Sequence, residues 1–228
     1  MSTLPWKEIH TVLLDMDGTL LDLHFDNHFW MEYIPQKLAK KRGISLQTAK
    51  DFMMDEYQQV TGTLSWYCLD YWAKKLDMDI VEAKREIDHL ISMREDSLPF
   101  IDALKTSGRE VILVTNAHPD SLSLKVEHTQ LDAHINQLIS THEFGVTKES
   151  QELWQKLQAK LGFNSANTLF VDDSLGILQA AKDFGIKHLL AVSNPDSKQS
   201  VREITGFPSV QDYRYLLDDI LTERFTGR

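Results

Sequence analysis

The sequence is poor in cysteine and in basic residues. Cys68 is the one cysteine among 228 residues, so an internal disulfide and a cysteine-based metal cluster are excluded. A reducing, cytoplasmic compartment is therefore expected. Lys and Arg number 24 against 34 Asp and Glu, which gives a formal net charge of −10. Because contacts to a nucleic-acid backbone require a positive surface, we expect no nucleic-acid partner.

Long apolar runs are also missing. No window approaches the length of a membrane span, and the opening "MSTLPWKEIH" has no basic region followed by an apolar stretch. We therefore expect no membrane partner. The nine histidines include no HExxH pair, and with no cysteine cluster a zinc site is not expected.

What the sequence does contain is a regular alternation of short β-branched runs and segments with helical apolar spacing. This pattern predicts a Rossmann-like, doubly wound α/β fold with a parallel sheet and helices on its faces. The predicted strands are "TVLLDM", "EVILVTN", "QLIST", "TLFVDDS" and "HLLAVSN". The predicted helices between and after them cover residues 99–107, 119–129, 149–161 and 174–184.

Residues 24–96 interrupt this alternation and show no strand pattern. Their apolar spacing predicts amphipathic helices over about 27–41, 45–60, 63–76 and 79–94. We expect a helical cap over 24–96, inserted after the first strand of a catalytic core made of 1–23 and 97–228. The closing segment "SVQDYRYLLDDILTERF" predicts one more amphipathic helix.

Polar side chains follow the ends of several predicted strands. In an open α/β sheet, ligands bind outside the carboxyl ends of the strands, near the point where strand order reverses. The residues expected at this edge are Asp15, Asp17, Thr115, Asn116, Lys148, Asp172 and Asp173.

The stretch "TVLLDMDGTLLDLHF" has two interpretations when taken alone. Asp17 and Gly18 between apolar runs are typical of a two-residue β-hairpin turn. Two carboxylates one residue apart at a strand end are equally consistent with an active site. The three downstream motifs favour the active site.

Four motifs in this order, "DMDGT", "VTN", Lys148 and "VDDS", with a helical insertion after the first, resemble the haloacid dehalogenase superfamily of phosphotransferases. The resemblance spans nearly the whole chain. Within that superfamily, "LLDMDGTLLDLHFDNHFW", "TLSWYCLDYW", "TNAHP" and "STHEFGVTKESQELW" are similar to the branch of cytoplasmic 5′-nucleotidases that act on GMP and IMP. This resemblance implies that the protein is a Mg²⁺-dependent hydrolase. Its small-molecule partner would be a purine nucleoside monophosphate.

The resemblance also implies roles for the acidic residues. Asp15 would be the nucleophile, forming an aspartyl-phosphate, and would bind Mg²⁺ together with the backbone carbonyl of Asp17. Asp17 would act as general acid and then as general base. Asp173, backed by Asp172, would complete the metal site. The superfamily's further Asp is absent here, since "DDSLGIL" has Gly and Ile in its place, so which of the pair binds the metal directly stays open.

The remaining motifs would hold the phosphate and the rest of the substrate. Thr115 and the amide of Asn116 would bind phosphoryl oxygens, and Lys148 would pair with Asp15 and the phosphate. In "TLSWYCLDYWAKKL", helical spacing puts Trp66 on a stripe expected in the cap interior. The candidates for substrate specificity are Phe25, Asn27, His28, Tyr67, Tyr71 and His118.

Two alternatives to a nucleotidase remain open at this point. The motifs fit equally a phosphatase or mutase acting on a sugar phosphate or another small phosphorylated metabolite, because the cap selects the substrate. A non-catalytic phosphoacceptor module also places an acidic pair, a Thr and a Lys at strand ends. Such a receiver usually lacks a helical insertion.

Overall fold

The computed structural model describes residues 4–135 and 137–225 and is built on a six-stranded parallel sheet. The strand order is β3-β2-β1-β4-β5-β6, so the order reverses at β1, which lies between β2 and β4. This reversal creates a crevice beside the carboxyl end of β1. The strands are β1 Thr11–Leu14, β2 Glu110–Thr115, β3 Gln137–Ser140, β4 Thr168–Asp172, β5 His188–Val192 and β6 Ser209–Val210.

Helices cover both faces of this sheet and also form a separate layer above its carboxyl edge. Successive residues of a strand point to opposite faces. Accordingly Val12 and Leu14 enter one apolar cluster while Leu13 enters another. In chain order the helices are α1 His24–His28, α2 Ile34–Arg42, α3 Leu46–Val60, α4 Leu64–Tyr67, α5 Leu69–Leu76, α6 Ile80–Arg85, α7 Ser97–Thr106, α8 Pro119–Thr129, α9 Gln151–Leu161, α10 Leu175–Phe184 and α11 Leu217–Thr222.

Helices α1 to α6 pack around a hydrophobic cluster of their own. Its buried members run from Phe25 to Ile87, whereas the two clusters under and over the sheet draw on residues up to Leu21 and from Met93 onward. A turn of π-helix, Phe29–Tyr33, joins α1 to α2. The helical layer therefore has an apolar interior that is distinct from the sheet's.

The structure confirms the α/β fold class and differs from the sequence prediction in detail. The single helix expected over 63–76 is two helices, because Cys68 between α4 and α5 has an extended backbone. At the C-terminal end, "SV" forms the edge strand β6, and α11 covers only Leu217–Thr222. A two-residue strand is too short to show periodicity. Within the described residues, no helix has the length and apolar character needed to cross a membrane.

Candidate active site

The Asp17-Gly18 turn lies at the carboxyl end of β1 and does not connect a hairpin. Both neighbours of β1 run parallel to it, which excludes that pairing. Gly18 has φ +78° and its N–H donates to the carbonyl of Leu21 at 2.8 Å. A Cβ at Gly18 would lie 2.8 Å from Cγ of Asp173. The turn therefore needs glycine both for its backbone and for the close approach of a carboxylate.

Asp15, Lys148 and Asp172 form a buried ionic group at the same edge. Lys148 Nζ lies 2.5 Å from Asp15 Oδ1 and 2.7 Å from Asp172 Oδ2. Burial raises the pKa of Asp15 to about 6, although Lys148 opposes the shift. Burial disfavours the ammonium of Lys148, but the two carboxylates outweigh it and raise its pKa. Lys148 thus stays charged and holds Asp15 in one orientation.

Asp173 is the carboxylate of this cluster that lacks a lysine partner. One oxygen of each of Asp15, Asp172 and Asp173 lies within 4.8 Å of the others. Asp172 also accepts a hydrogen bond from the Ser174 N–H at 2.8 Å. Arg202 Nη2 donates to the backbone carbonyl of Asp173 at 2.8 Å but stays 3.7 Å from its carboxylate. Burial, Asp172 and Asp15 raise the pKa of Asp173 well above its usual range. Such an acidic cluster can hold a cation with oxygen ligands.

A second ionic group surrounds Asp17 and was not indicated by any sequence motif. Lys125 Nζ, on α8, lies 2.6 Å from Asp17 Oδ1 and 2.6 Å from Asp26 Oδ2. Lys84, on α6, donates to the other oxygen of Asp26 at 2.8 Å. Burial raises the pKa of Asp17 to about 6 against the pull of Lys125. Asp26 is partly buried, which opposes its ionisation, but the two lysines outweigh this and lower its pKa.

The two groups together carry an excess of negative charge. Five carboxylates meet three ammonium groups, so the fully ionised cluster has two negative charges more than positive ones. The carboxylates are Asp15, Asp17, Asp26, Asp172 and Asp173, and the ammonium groups belong to Lys84, Lys125 and Lys148. A divalent cation would balance this excess.

Thr115 and Asn116 lie at the end of β2, beside these groups. Thr115 Oγ1 accepts a hydrogen bond from the Ala117 N–H at 3.0 Å. Asn116 Oδ1 accepts from the Lys148 N–H at 2.9 Å, and Asn116 Nδ2 donates to Glu149 at 3.0 Å. The Asn116 side chain therefore fixes the loop that carries Lys148.

A cavity of about 230 Å³ extends from the ionic groups to the helical layer. Its far end is lined by the apolar and aromatic residues Trp30, Met31, Tyr57, Trp66, Tyr67, Leu69 and Trp72. Among the predicted specificity residues, Asn27, Tyr67 and His118 line this cavity, whereas Phe25, His28 and Tyr71 do not. Phe25 is buried beneath the ammonium groups of Lys84 and Lys125.

A sequence model of haloacid dehalogenase-like hydrolases matches residues 9–185 of the chain. The chain belongs to this family. It is 48% identical over 216 residues to the GMP/IMP nucleotidase YrfG of Escherichia coli (strain K12), a match that covers 95% of this chain and 97% of that protein. It is 20% identical to the (S)-2-haloacid dehalogenase of Pseudomonas putida, over 78% of this chain and 82% of that protein.

A solved structure, the HAD phosphatase from Thermococcus onnurineus, superimposes on this hydrolase with a TM-score of 0.76 at 22% identity. The match covers 95% of this chain and 99% of that one, and it supports the same fold. All seven strand-end residues of this hydrolase named from the sequence lie at one edge of the sheet and line the cavity. Lys84 and Lys125 belong to helices whose apolar spacing predicts an ordinary amphipathic surface, so the sequence contains no local signal for their burial.

Proposed function

We propose that this hydrolase is a Mg²⁺-dependent phosphomonoesterase that releases phosphate from a purine nucleoside 5′-monophosphate, GMP or IMP. The observation that carries the proposal is Asp15, held by Lys148 and followed two residues later by the partly buried carboxyl of Asp17. The nucleotidase relative, 48% identical over nearly the whole chain, supports the choice of substrate.

Mg²⁺ fits the donor set at this edge because the available ligands are carboxylate and carbonyl oxygens. We assign Asp15, Asp173 and the backbone carbonyl of Asp17 as its ligands. Asp172 supports them from behind, since one of its oxygens already faces Lys148 and the other accepts from the Ser174 N–H. Bound Mg²⁺ would offset the repulsion between the nucleophile and an anionic phosphate, which is roughly 4 kcal/mol per pair of unit charges at 4 Å.

The proposed reaction has two steps on Asp15. An Asp15 carboxylate oxygen attacks phosphorus, the bond from phosphorus to the 5′ oxygen breaks, and Asp17 gives its proton to that leaving oxygen. Asp17, now a carboxylate, takes a proton from a water molecule whose oxygen attacks phosphorus. The bond from phosphorus to the Asp15 oxygen breaks, which releases inorganic phosphate and regenerates the Asp15 carboxylate. The pKa of Asp17, about 6, suits both roles near neutral pH.

Thr115, Asn116 and Lys148 would hold the phosphoryl oxygens during this transfer. Lys148 already contacts Asp15 and is buried, so its charge acts at close range in a dry site. Since the side-chain amide of Asn116 is bound to Glu149, we assign its backbone N–H as the amide that contacts phosphate.

We also propose that residues 24–96 act as a cap over a catalytic core formed by 1–23 and 97–228. The separate apolar cluster of the helical layer supports this division. Residues 1–3, 136 and 226–228 of the core lie outside the described part of the chain. The aromatic end of the cavity belongs to the cap, and stacking on a purine is a property of such surfaces.

A screen of phosphorylated metabolites with and without Mg²⁺ tests the proposal. We expect GMP and IMP among the best substrates, no turnover in EDTA, and no turnover by D15N with any substrate. Preference for a sugar phosphate would agree with the proposed phosphatase mechanism but would reject a purine nucleotide as the substrate. Normal phosphate release by folded D15N would reject the mechanism.

A further inference from the structure

Three side chains that are distant in sequence meet where the helical layer faces the sheet. Cys68 lies between α4 and α5, His118 is the N-cap residue of α8, and His142 follows β3. Cys68 Sγ and one ring nitrogen of each histidine lie within 4.8 Å of one another. The ring centroids of the two histidines are 5.1 Å apart. Sequence spacing gave no indication of this cluster.

The ligand atoms of this cluster differ in kind from those around Asp15. A thiolate and two imidazoles are ligands of Zn²⁺ and related transition metals, whereas Mg²⁺ selects oxygen. Donor atoms around a tetrahedral Zn²⁺ are about 3.3–3.8 Å apart, given bonds of about 2.0–2.3 Å. From separations of up to 4.8 Å, the three atoms would need to approach one another by about 1.5 Å at most.

His142 supplies an independent indication of a missing ligand. Its Nε2 is buried and has no hydrogen-bond partner among the described residues. A buried nitrogen of this kind destabilises the fold unless it has a partner. An unprotonated Nε2 would carry the lone pair that a metal ion needs. In a metal-binding histidine one ring nitrogen is the ligand and the other N–H donates to a nearby acceptor.

The carboxylates around His118 also suit a metal-binding histidine. Its Nδ1 lies 3.6 Å from Asp120 Oδ2, and its Nε2 lies 3.6 Å from Asp70 Oδ2. In the structure Nδ1 accepts a 3.3 Å hydrogen bond from the Asp120 N–H. Metal on Nε2 would move the proton to Nδ1, which would then donate to the Asp120 carboxylate instead. Asp70 could supply a fourth ligand from the helical layer.

We propose that Cys68, His118 and His142 form a binding site for a thiophilic divalent cation, with Zn²⁺ as the best fit. Binding releases the thiol proton of Cys68. His118 and His142 come from the sheet edge and Cys68 from the helical layer, so an occupied site links the two. Exchange of a substrate held under a cap requires the cap to move, so bound Zn²⁺ should inhibit turnover. This inhibition rests on the proposed function, whereas the binding of Zn²⁺ does not.

The binding test uses Co²⁺ as a spectroscopic probe on the full chain, with excess Mg²⁺ present to occupy the carboxylates. We expect one equivalent to give visible bands of tetrahedral Co²⁺ and a near-ultraviolet thiolate-to-metal band. C68S should lose the thiolate band, and C68S and H142Q should each weaken binding at least about tenfold. H89Q, which replaces an exposed histidine, should bind like the native chain.

Absence of the thiolate band, or equal binding by C68S, would overturn the site. If H142Q fails to fold, H118N tests the second histidine. In the activity assay, Zn²⁺ should inhibit the native chain. C68S should need an at least about tenfold higher Zn²⁺ concentration for the same inhibition. Equal inhibition of both would reject the link between occupancy and turnover. A native chain that binds Co²⁺ through Cys68 but hydrolyses no phosphate would reject the proposed function alone.

Discussion

At the scale of single residues, the site depends on two lysines that orient two carboxyl groups. Lys148 holds Asp15, and Lys125 holds Asp17 by contacts of 2.5 and 2.6 Å. Lys148 was predicted from its place among the motifs. Lys125 was not, because a lysine in an amphipathic helix normally reaches solvent, and only tertiary packing buries this one. The roles of both lysines in catalysis stay predictions.

Replacing Lys125 with Met should impair the step that needs Asp17 more than the attack by Asp15. We expect kcat for GMP to fall about 10²–10⁴-fold, the range typical of general acid–base catalysis. An aryl phosphate, whose leaving group needs no proton, should still phosphorylate the enzyme and give a burst before slow turnover. Burst kinetics with both substrates measure this. K156M, at an exposed position of α9, is the matched control. An equal loss of turnover by K125M with GMP and with the aryl phosphate, without a burst, would contradict this role of Lys125.

Gly18 offers a second test at this scale. G18A adds a methyl group 2.8 Å from Asp173 Cγ and 2.9 Å from Pro195 Cβ. We expect it to lower stability by about 2–4 kcal/mol and to weaken Mg²⁺ binding. Gly162 has a similar φ, +72°, with nothing within 4 Å of its added Cβ, so G162A should cost only the backbone strain of about 1 kcal/mol. Denaturant unfolding and Mg²⁺ titration measure both. An equal loss of stability in G18A and G162A would contradict the close approach of Asp173 to Gly18.

At the scale of elements, the ends of the strands and the presence of a helical layer were readable from the sequence, but the internal detail of that layer was not. "TVLLDMDGT" and "TLFVDDS" are buried runs that stop at carboxylates, and parallel strands bring such ends to one edge. The helical spacing of 63–76 put Trp66 on a stripe expected in the cap interior, and Trp66 packs, partly buried, against the apolar cluster of the helical layer. It did not reveal the break at Cys68, nor which aromatic residues face the cavity, because periodicity reports a buried face and not what covers it.

Tyr67 connects the helical layer to the loop that carries Lys148. Its hydroxyl donates to Glu149 Oε1 at 2.8 Å, and the other oxygen of Glu149 accepts from Asn116. A hydrogen bond to a carboxylate contributes about 1.5–3 kcal/mol. Y67F should therefore raise KM for GMP about tenfold with a smaller change in kcat, whereas Y71F, outside the cavity, should change neither. Steady-state kinetics decide. An unchanged KM in Y67F would contradict a role for the contact between Tyr67 and Glu149 in substrate binding.

At the scale of the whole molecule, the acidic net charge does not prevent binding of an anionic substrate. The chain has a net charge of −10, yet three buried lysines and a divalent cation would make the interior of one crevice suitable for phosphate. The sequence could indicate this only through the order of its motifs, since the composition argues against a nucleic-acid partner and gives no information on a small phosphate ester.

Mg²⁺ should stabilise the folded chain through the same carboxylates. At a concentration near 100 times Kd, binding contributes about 2.7 kcal/mol, which corresponds to a rise in Tm of roughly 5–10 °C for a chain of this size. D173N should lose this rise, and D183N, on the exposed side of α10, should keep it. Calorimetry with and without Mg²⁺ measures the shift. An equal rise in D173N would contradict the assignment of Asp173 as a ligand.

The central claim is that Asp15 carries the phosphoryl group during turnover. Mass spectrometry of acid-quenched enzyme, taken during turnover of GMP with Mg²⁺, tests this most directly. We predict one added phosphoryl group on the peptide that contains Asp15, and none in D15N or without Mg²⁺. Turnover with no phosphorylated Asp15 peptide, or with the phosphoryl group on another residue, would contradict the account.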